Sequence, residues 1–327
     1  MKKALRRLVR RLKRSSIQSR NRNQNQRTRT IAITMLRVRA AKMTTYNVDA
    51  FPEIKDVQRV ELDILIKVAR LCEERGFTYF IESGTALGAV RHGGFIPWDD
   101  DIDIGMPRQD YEKFLDIAQE ELGDEYFVQT RKTDPNAPFS FAKVRKNGTT
   151  FIEWNKRNIK MHHGIYIDIF PYDGLPIEGL DEHIDKCLKL NKLQFKKYIP
   201  DRVGIPQKSL KWKLGAAARR MQYYLLKLYP ESLLEGKIEK EYMRYDTNPN
   251  EHGFCTCFSF VDRIIFPNEL LFPPQKINFE GEEFYAPAKL VEYLTLMYGD
   301  YNQLPPVEDR VGHRPVEVSV TEELFTR

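Results

Sequence analysis

The chain has 327 residues, 42% hydrophobic and 12% aromatic, with 18 Gly and 18 Pro, which fits one large or two modest globular domains able to bury a sizeable core. No run of 18 or more apolar residues exists and the N-terminus lacks the apolar stretch of a secretory signal, so no membrane span or export segment is legible and a cytoplasmic protein is expected. The net charge of +6 divides unevenly: residues 1–42 hold fifteen Lys and Arg and no acid, leaving 37 Lys and Arg against 46 Asp and Glu, a charge of −9, in residues 43–327.

The basic arm, residues 1–48, comes first. Leu5, Leu8, Val9 and Leu12 fall at helical spacing among Lys and Arg, an amphipathic pattern suited to an anionic lipid surface or to RNA. Residues 15–30 are polar and Arg-rich, and disorder is expected there. The arm is either a tail without its own function or a peripheral tether to the inner face of a membrane. No nucleic-acid partner is expected, because no nucleic-acid-binding fold follows.

The remainder, residues 49–327, divides into a core (56–175), a helical region (181–250) and a C-terminal β/α part (251–327). Val57, Val60, Ile64, Leu65, Val68, Leu71 and Cys72 predict a helix over 56–75, stopped at Gly76. FTYFIES reads as a short strand running into Gly84-Thr85, and TALGAVRHGGFIP as a short helix or turn and a Gly-Gly loop. Asp101 to Gly105 is the next strand, and Pro107 opens a helix carrying Tyr111, Phe114, Leu115, Ala118 and Leu122. FSFAKVR and TTFIEW, joined at Lys146-Asn147-Gly148, predict a β-hairpin. GIYIDIFPYDG (164–174) is an apolar strand interrupted by Asp168 and ended by a Pro and Gly turn. Helical spacing over 181–244, broken at 200–206 and 230, precedes short strands (CTCFSFV, KINFEG, EEFYAP), a helix near 289–298 and a Pro-rich tail. The fold class is α+β, with a helical subdomain.

The chemistry concentrates in FIPWDDDIDIG, where Asp99, Asp100, Asp101 and Asp103 crowd five positions. Alternation along a strand puts Asp101 and Asp103 on one face, about 6.6 Å apart, with Ile102 and Ile104 facing the core. Adjacent carboxylates repel and are costly to bury, so a cation is expected. With Asp168 as a third acid from a neighbouring strand, the set suits two Mg²⁺ (or Mn²⁺) ions about 3.5–4 Å apart. The competing reading is a solvated acidic loop, against which the flanking isoleucines argue. His252, Cys255 and Cys257 offer three ligands for zinc, but FCTCFSF alternates like a strand and lacks a clear fourth.

The span GTALGAVRHGGFIPWDDDIDIG, followed by RQDYEKF and later by GIYIDIFPYDG, resembles the LicD family of phosphotransferases, relatives of fukutin and fukutin-related protein within the nucleotidyltransferase superfamily. The likeness is strong over 56–175 and looser toward the C-terminus through FEGEEFYAP and EYLTLMYGDYNQLPP. It implies a nucleotidyltransferase-like mixed sheet flanked by helices, with the superfamily pattern Gly-(Ser/Thr) followed by Asp-x-Asp falling on Gly84, Thr85, Asp101 and Asp103, and Asp168 as the third carboxylate. It implies transfer of phosphocholine, or another phospho-alcohol or sugar phosphate, from a CDP-linked donor onto a glycan or lipid-linked glycan of the cell surface (lipopolysaccharide, teichoic acid or capsule).

In that setting the backbone at Gly84-Thr85 approaches phosphates, and Arg91, Lys143 and Arg145 pair with phosphate charge. Each has a plainer alternative: Arg91 neutralises the Asp run, Lys143 and Arg145 form a solvated hairpin face, and Asp99 and Asp100 brace the loop. Trp98 either offers its indole face to a quaternary ammonium or anchors the loop by packing. His162 and His163 read as a structural pair. The alternative activity is a nucleotidyltransferase that attaches NMP to a small molecule or sugar and expels pyrophosphate.

Overall fold

The computed structural model describes residues 54–199, 209–245, 253–259, 263–310, 312, 313 and 315–320. The basic arm and His252 lie outside the described residues.

Helix α1 (Ile54–Arg75) forms as its apolar stripe demands, with Val57, Val60, Ile64, Leu65, Val68, Leu71 and Cys72 buried. Gly76 ends it at φ 71°, in the left-handed region that glycine enters without steric cost. After the two-residue β1 (Phe80–Ile81) come α2 (Ser83–His92), β2 (Asp103–Pro107), α3 (Arg108–Leu122) and β3 (Tyr126–Gln129). The chain continues through β4 (Ala142–Lys146), β5 (Thr150–Glu153) and the ten-residue β6 (Tyr166–Leu175). The helical subdomain is α4 (Leu180–Tyr198), α5 (Leu210–Lys227) and α6 (Glu231–Tyr242). β7 (Phe254–Thr256), β8 (Phe266–Pro267), the short α7 (Asn268–Leu271), β9 (Gln275–Phe279), β10 (Glu282–Ala286), α8 (Leu290–Tyr298) and β11 (Pro315–Ser319) complete it.

Among the described residues the main sheet runs β1-β2-β6-β4-β3, with β7 on the far half of β6 and β8 beside β7. β2 and β6 are parallel and the other pairs antiparallel, so the sheet is mixed and the fold is α+β. α1 and α3 pack on β6 and on each other, while α2 packs against β2, β9 and α8. No described helix is long and apolar enough to cross a membrane.

Three local expectations are corrected. The turn at Asn147-Gly148 forms, with Gly148 at φ 77°, but β4 and β5 do not pair: both edges of β4 are taken by β3 and β6, and β5 pairs with β11 instead. β6 does not stop at its Pro and Gly but runs to Leu175. Asp168 N–H donates to Ile102 O on the β2 side, so position 171 faces the other edge, between the end of the β4 ladder at Ile169 and the start of the β7 ladder at Asp173. A residue without an N–H costs nothing there. Finally, Asp101 precedes β2, which begins at Asp103.

Candidate active site

The register of two parallel strands builds the centre of the site: Asp103 of β2 lies directly beside Asp168 of β6. Adjacent strands are about 4.8 Å apart and in-register side chains share a face, so the two carboxylates stand together. The isoleucines that follow, Ile104 and Ile169, are fully buried on the opposite face and pin this orientation. Asp103 N–H donates to Thr85 Oγ1 at 2.9 Å, tying the strand start to α2; the Thr85 hydroxyl is buried in that bond.

The acidic loop folds over the pair. Burial, then the neighbouring charges of Asp101 and Asp168, holds Asp103 well above the ordinary carboxylate range. Burial and the adjacent Asp101 push Asp99 up to about 8, and Asp101 is raised too, chiefly by burial. Gly84, the second residue of α2, is where this loop touches the helix: a Cβ there would sit 2.7 Å from Asp99 Oδ2. Asp100 turns toward the C-terminal segment, accepting from His313 N–H at 2.8 and 3.0 Å and meeting His313 Nδ1 at 2.9 Å. His313 Nε2 lies 3.7 Å from Asp101 Oδ2. Asp100, Asp101 and His313 together offer ligand atoms within 4.8 Å of one another. Burial opposes the imidazolium, but Asp100 and Asp101 outweigh it and raise His313 to about 9.

Two acids that sequence reasoning missed underlie this cluster. Glu61 of α1 is 1% exposed, its Oε2 accepts no hydrogen bond, and burial followed by the charges of Asp101, Asp100, Asp99 and Asp168 raises it well above the ordinary carboxylate range. Glu82, just before α2, is fully buried and raised to about 8, mainly by burial, which the hydroxyls of Tyr172 and Tyr293 offset in part. Glu61 carried a signal, since it falls within the apolar stripe of α1 between Val57 and Ile64.

The cations are placed unevenly. Lys143 is not on a solvated face: it is 1% exposed, ion-paired with Asp168, and seated 3.4 Å from the centre of the Tyr166 ring. Burial lowers it to about 8. Arg145 is equally buried, donating to Gln129 Oε1 and, at 2.5 Å, to Gly164 O, with Tyr166 beneath its guanidinium. Arg91 is half-buried on α2, donates to Tyr301 O at 3.2 Å, and feels the charges of Arg310 and Asp99. Arg310, unforeseen from sequence, lies 5.1 Å from the centre of the Trp98 ring, and the Trp98 and His92 rings meet in a T-shaped pair. Trp98 itself packs, partly buried, against the core. His162 and His163 are hydrogen-bonded to Asn147 Oδ1 and Ile159 O. Cys255 and Cys257 are buried free thiols raised by burial.

The donor set is mostly carboxylate oxygen, crowded and short of positive charge: Lys143 and His313 face many more carboxylates, several of them raised above the ordinary range by burial and by one another. The buried Glu61 Oε2, which accepts no hydrogen bond, marks the same deficit. Hard oxygen-preferring divalent cations of the Mg²⁺ or Mn²⁺ type fit such a set, and soft thiolate-preferring metals do not.

Comparison with known proteins agrees with the geometry. Residues 76–199 match the family model described as LicD/FKTN/FKRP, nucleotidyltransferase domain. Over 277 residues, 82% of this chain and 98% of the relative, the sequence is 30% identical to the lipopolysaccharide cholinephosphotransferase LicD of Haemophilus influenzae. Shorter stretches resemble the human ribitol 5-phosphate transferase FKRP, 46% identical over 43 residues (13% of this chain, 9% of that protein), and mouse ribitol-5-phosphate transferase FKTN, 34% identical over 61 residues (19% and 13%).

Proposed function

Because the chain belongs to the LicD/FKTN/FKRP family of phosphotransferases, we propose that its acidic site moves phosphocholine, or a related phospho-alcohol or sugar phosphate, from a CDP-linked donor onto a hydroxyl of a cell-surface glycan. The observation that carries the reading is the in-register pairing of Asp103 with Asp168 beneath the Asp99–Asp101 loop.

Asp101, Asp103 and Asp168 would hold the divalent cation, two ions in the fullest form; when bound it supplies the positive charge that offsets the diphosphate and the departing nucleotide. The protein's own groups do the positioning. Thr85 fixes Asp103 through its backbone, and Lys143 holds the Asp168 carboxylate by an ion pair walled by Tyr166, Phe139 and Phe141. Arg145, locked by Gln129 and Gly164, supports Tyr166 from below. Gly84 lets Asp99 lie against the start of α2. Arg91, which feels the charge of Asp99, and Arg310, over the Trp98 ring, bring two guanidinium groups to this edge of the acidic loop, suited to phosphate oxygens. In the reaction the acceptor oxygen bonds to the phosphorus carrying the alcohol, the bridging P–O bond to the nucleotide breaks, CMP leaves, and the hydroxyl proton passes to Asp103 or Asp168.

Incubation with CDP-choline, CDP-ribitol or CDP-glycerol, Mg²⁺ and a glycan acceptor tests this. Stoichiometric CMP and phosphodiester product support it. Pyrophosphate release from an NTP, with no CMP from any CDP-alcohol, replaces it with nucleotidyl transfer.

A further inference from the structure

Helix α5 leaves a run of large apolar side chains in solvent. Its inward face is fixed by contacts with α4, since Arg219 donates to Lys196 O at 2.9 Å and Lys197 Nζ donates to Leu226 O and Tyr229 O at 3.1 and 2.6 Å. On the opposite side stand Leu210, Leu214, Met221, Tyr224, Leu225 and, just past the helix, Leu228, with exposures from 61% (Leu225) to 80% (Leu228). With Ala217 they recur in steps of three and four residues, which aligns them as one stripe. No residue of the helix is buried. An exposed apolar stripe of this length marks a docking surface.

Charge identifies the occupant. The helix LKWKLGAAARRMQYYLLK contains no acid. At 100° per residue, the exposed Lys211 borders one edge of the stripe and the exposed Lys213, Arg220 and Lys227 border the other. A second copy of the helix would set these cations against their like. An anionic bilayer complements both features, an apolar layer for Leu, Met and Tyr and phosphates for the flanking cations. We propose that α5 is an interfacial helix that seats the catalytic body on an anionic lipid surface, separately from whatever residues 1–42 do. This assignment stands whether or not the proposed reaction is right.

The test uses the full chain with a polarity-sensitive dye at Leu228→Cys; the four native cysteines are buried, which directs the label. With vesicles of phosphatidylglycerol and phosphatidylcholine, the dye should shift blue and be quenched by shallow nitroxide lipids; with phosphatidylcholine alone it should not. Combining Leu214→Glu, Met221→Glu and Leu225→Glu should lower partitioning at least tenfold at unchanged melting temperature, since these side chains are mostly in water. Each of Lys213→Gln, Arg220→Gln and Lys227→Gln should lower it about fivefold at low salt. A dye that stays in water while the protein sediments with anionic vesicles overturns the proposal, as does unchanged partitioning of the Glu variant. Conversion of a dimer to a monomer by that variant also overturns it, assigning the stripe to a second copy.

Discussion

Replacing Asp103 by Asn removes one charge and little else, because the bond to Thr85 is made by the backbone of residue 103. At the strand spacing of about 4.8 Å, two carboxylates repel by about 3 kcal/mol at an effective dielectric of 20. Burial and its acidic neighbours raise Asp103, which softens this repulsion, so the relief on substitution is about 1–3 kcal/mol. It grows with pH: a carboxyl whose folded-state pKa lies above its unfolded value costs stability as pH rises from the unfolded pKa through the folded one. In EDTA at pH 8 the variant should therefore melt above the parent, by about 2–4 °C per kcal/mol in a protein of this size. Saturating Mg²⁺ should reverse the order, since a ligand at 100 times its Kd stabilises the parent by about 2.7 kcal/mol and the variant far less. CMP release should fall by about 10³ or more, a loss of about 4 kcal/mol in transition-state stabilisation. Differential scanning fluorimetry in both buffers reads the crossover. A variant less stable than the parent in EDTA, or equally stabilised by Mg²⁺, refutes the reasoning.

Gly84→Ala should cut CMP release at least tenfold while holding or slightly raising the melting temperature, because the new Cβ displaces Asp99 but Ala favours the helix. For His313→Asn the loss of stability should be fully present below pH 6.5 and vanish as pH rises past 9, the window set by the raised pKa of His313; a deficit that persists at pH 10 counts against the imidazolium contact with Asp100. Glu82→Gln in EDTA should gain on the parent between pH 5 and 8, by at most about 1.4 kcal/mol per pH unit, since the parent must ionise a buried acid over that range; parallel melting curves across pH would contradict the buried charge.

The parts of the site carried by local pattern were legible. Ile102, Ile104, Ile167 and Ile169 bracket their acids with a period of two, which announced buried strands with one unusual position each. Register was not legible: nothing local says that position 103 meets position 168 and not a neighbour two residues away. The strand was begun too early, because the alternation of Asp101 and Asp103 continues past the point where β2 finds its partners. The Asn-Gly turn formed while its hairpin did not, since pairing depends on which strands claim the edges of β4. Lys143 and Arg145 read either as phosphate partners or as a solvated hairpin face, because a strand covered on both faces gives charged residues no warning of burial. His313 and Arg310 lie beyond sequence reasoning altogether: Asp100 and His313 stand 213 residues apart and only the closed fold joins them. Glu61 was legible in principle, as an acid within an apolar stripe.

Whether Asp101, Asp103 and Asp168 together hold a divalent cation is tested, without reference to substrate, by Mn²⁺ titration followed by electron paramagnetic resonance. Saturable binding by the full chain, competed by Mg²⁺ and abolished or reduced at least tenfold by Asp168→Asn in a folded variant, is the predicted result. Failure of the parent protein to bind Mn²⁺, or unchanged binding by Asp168→Asn, would contradict it.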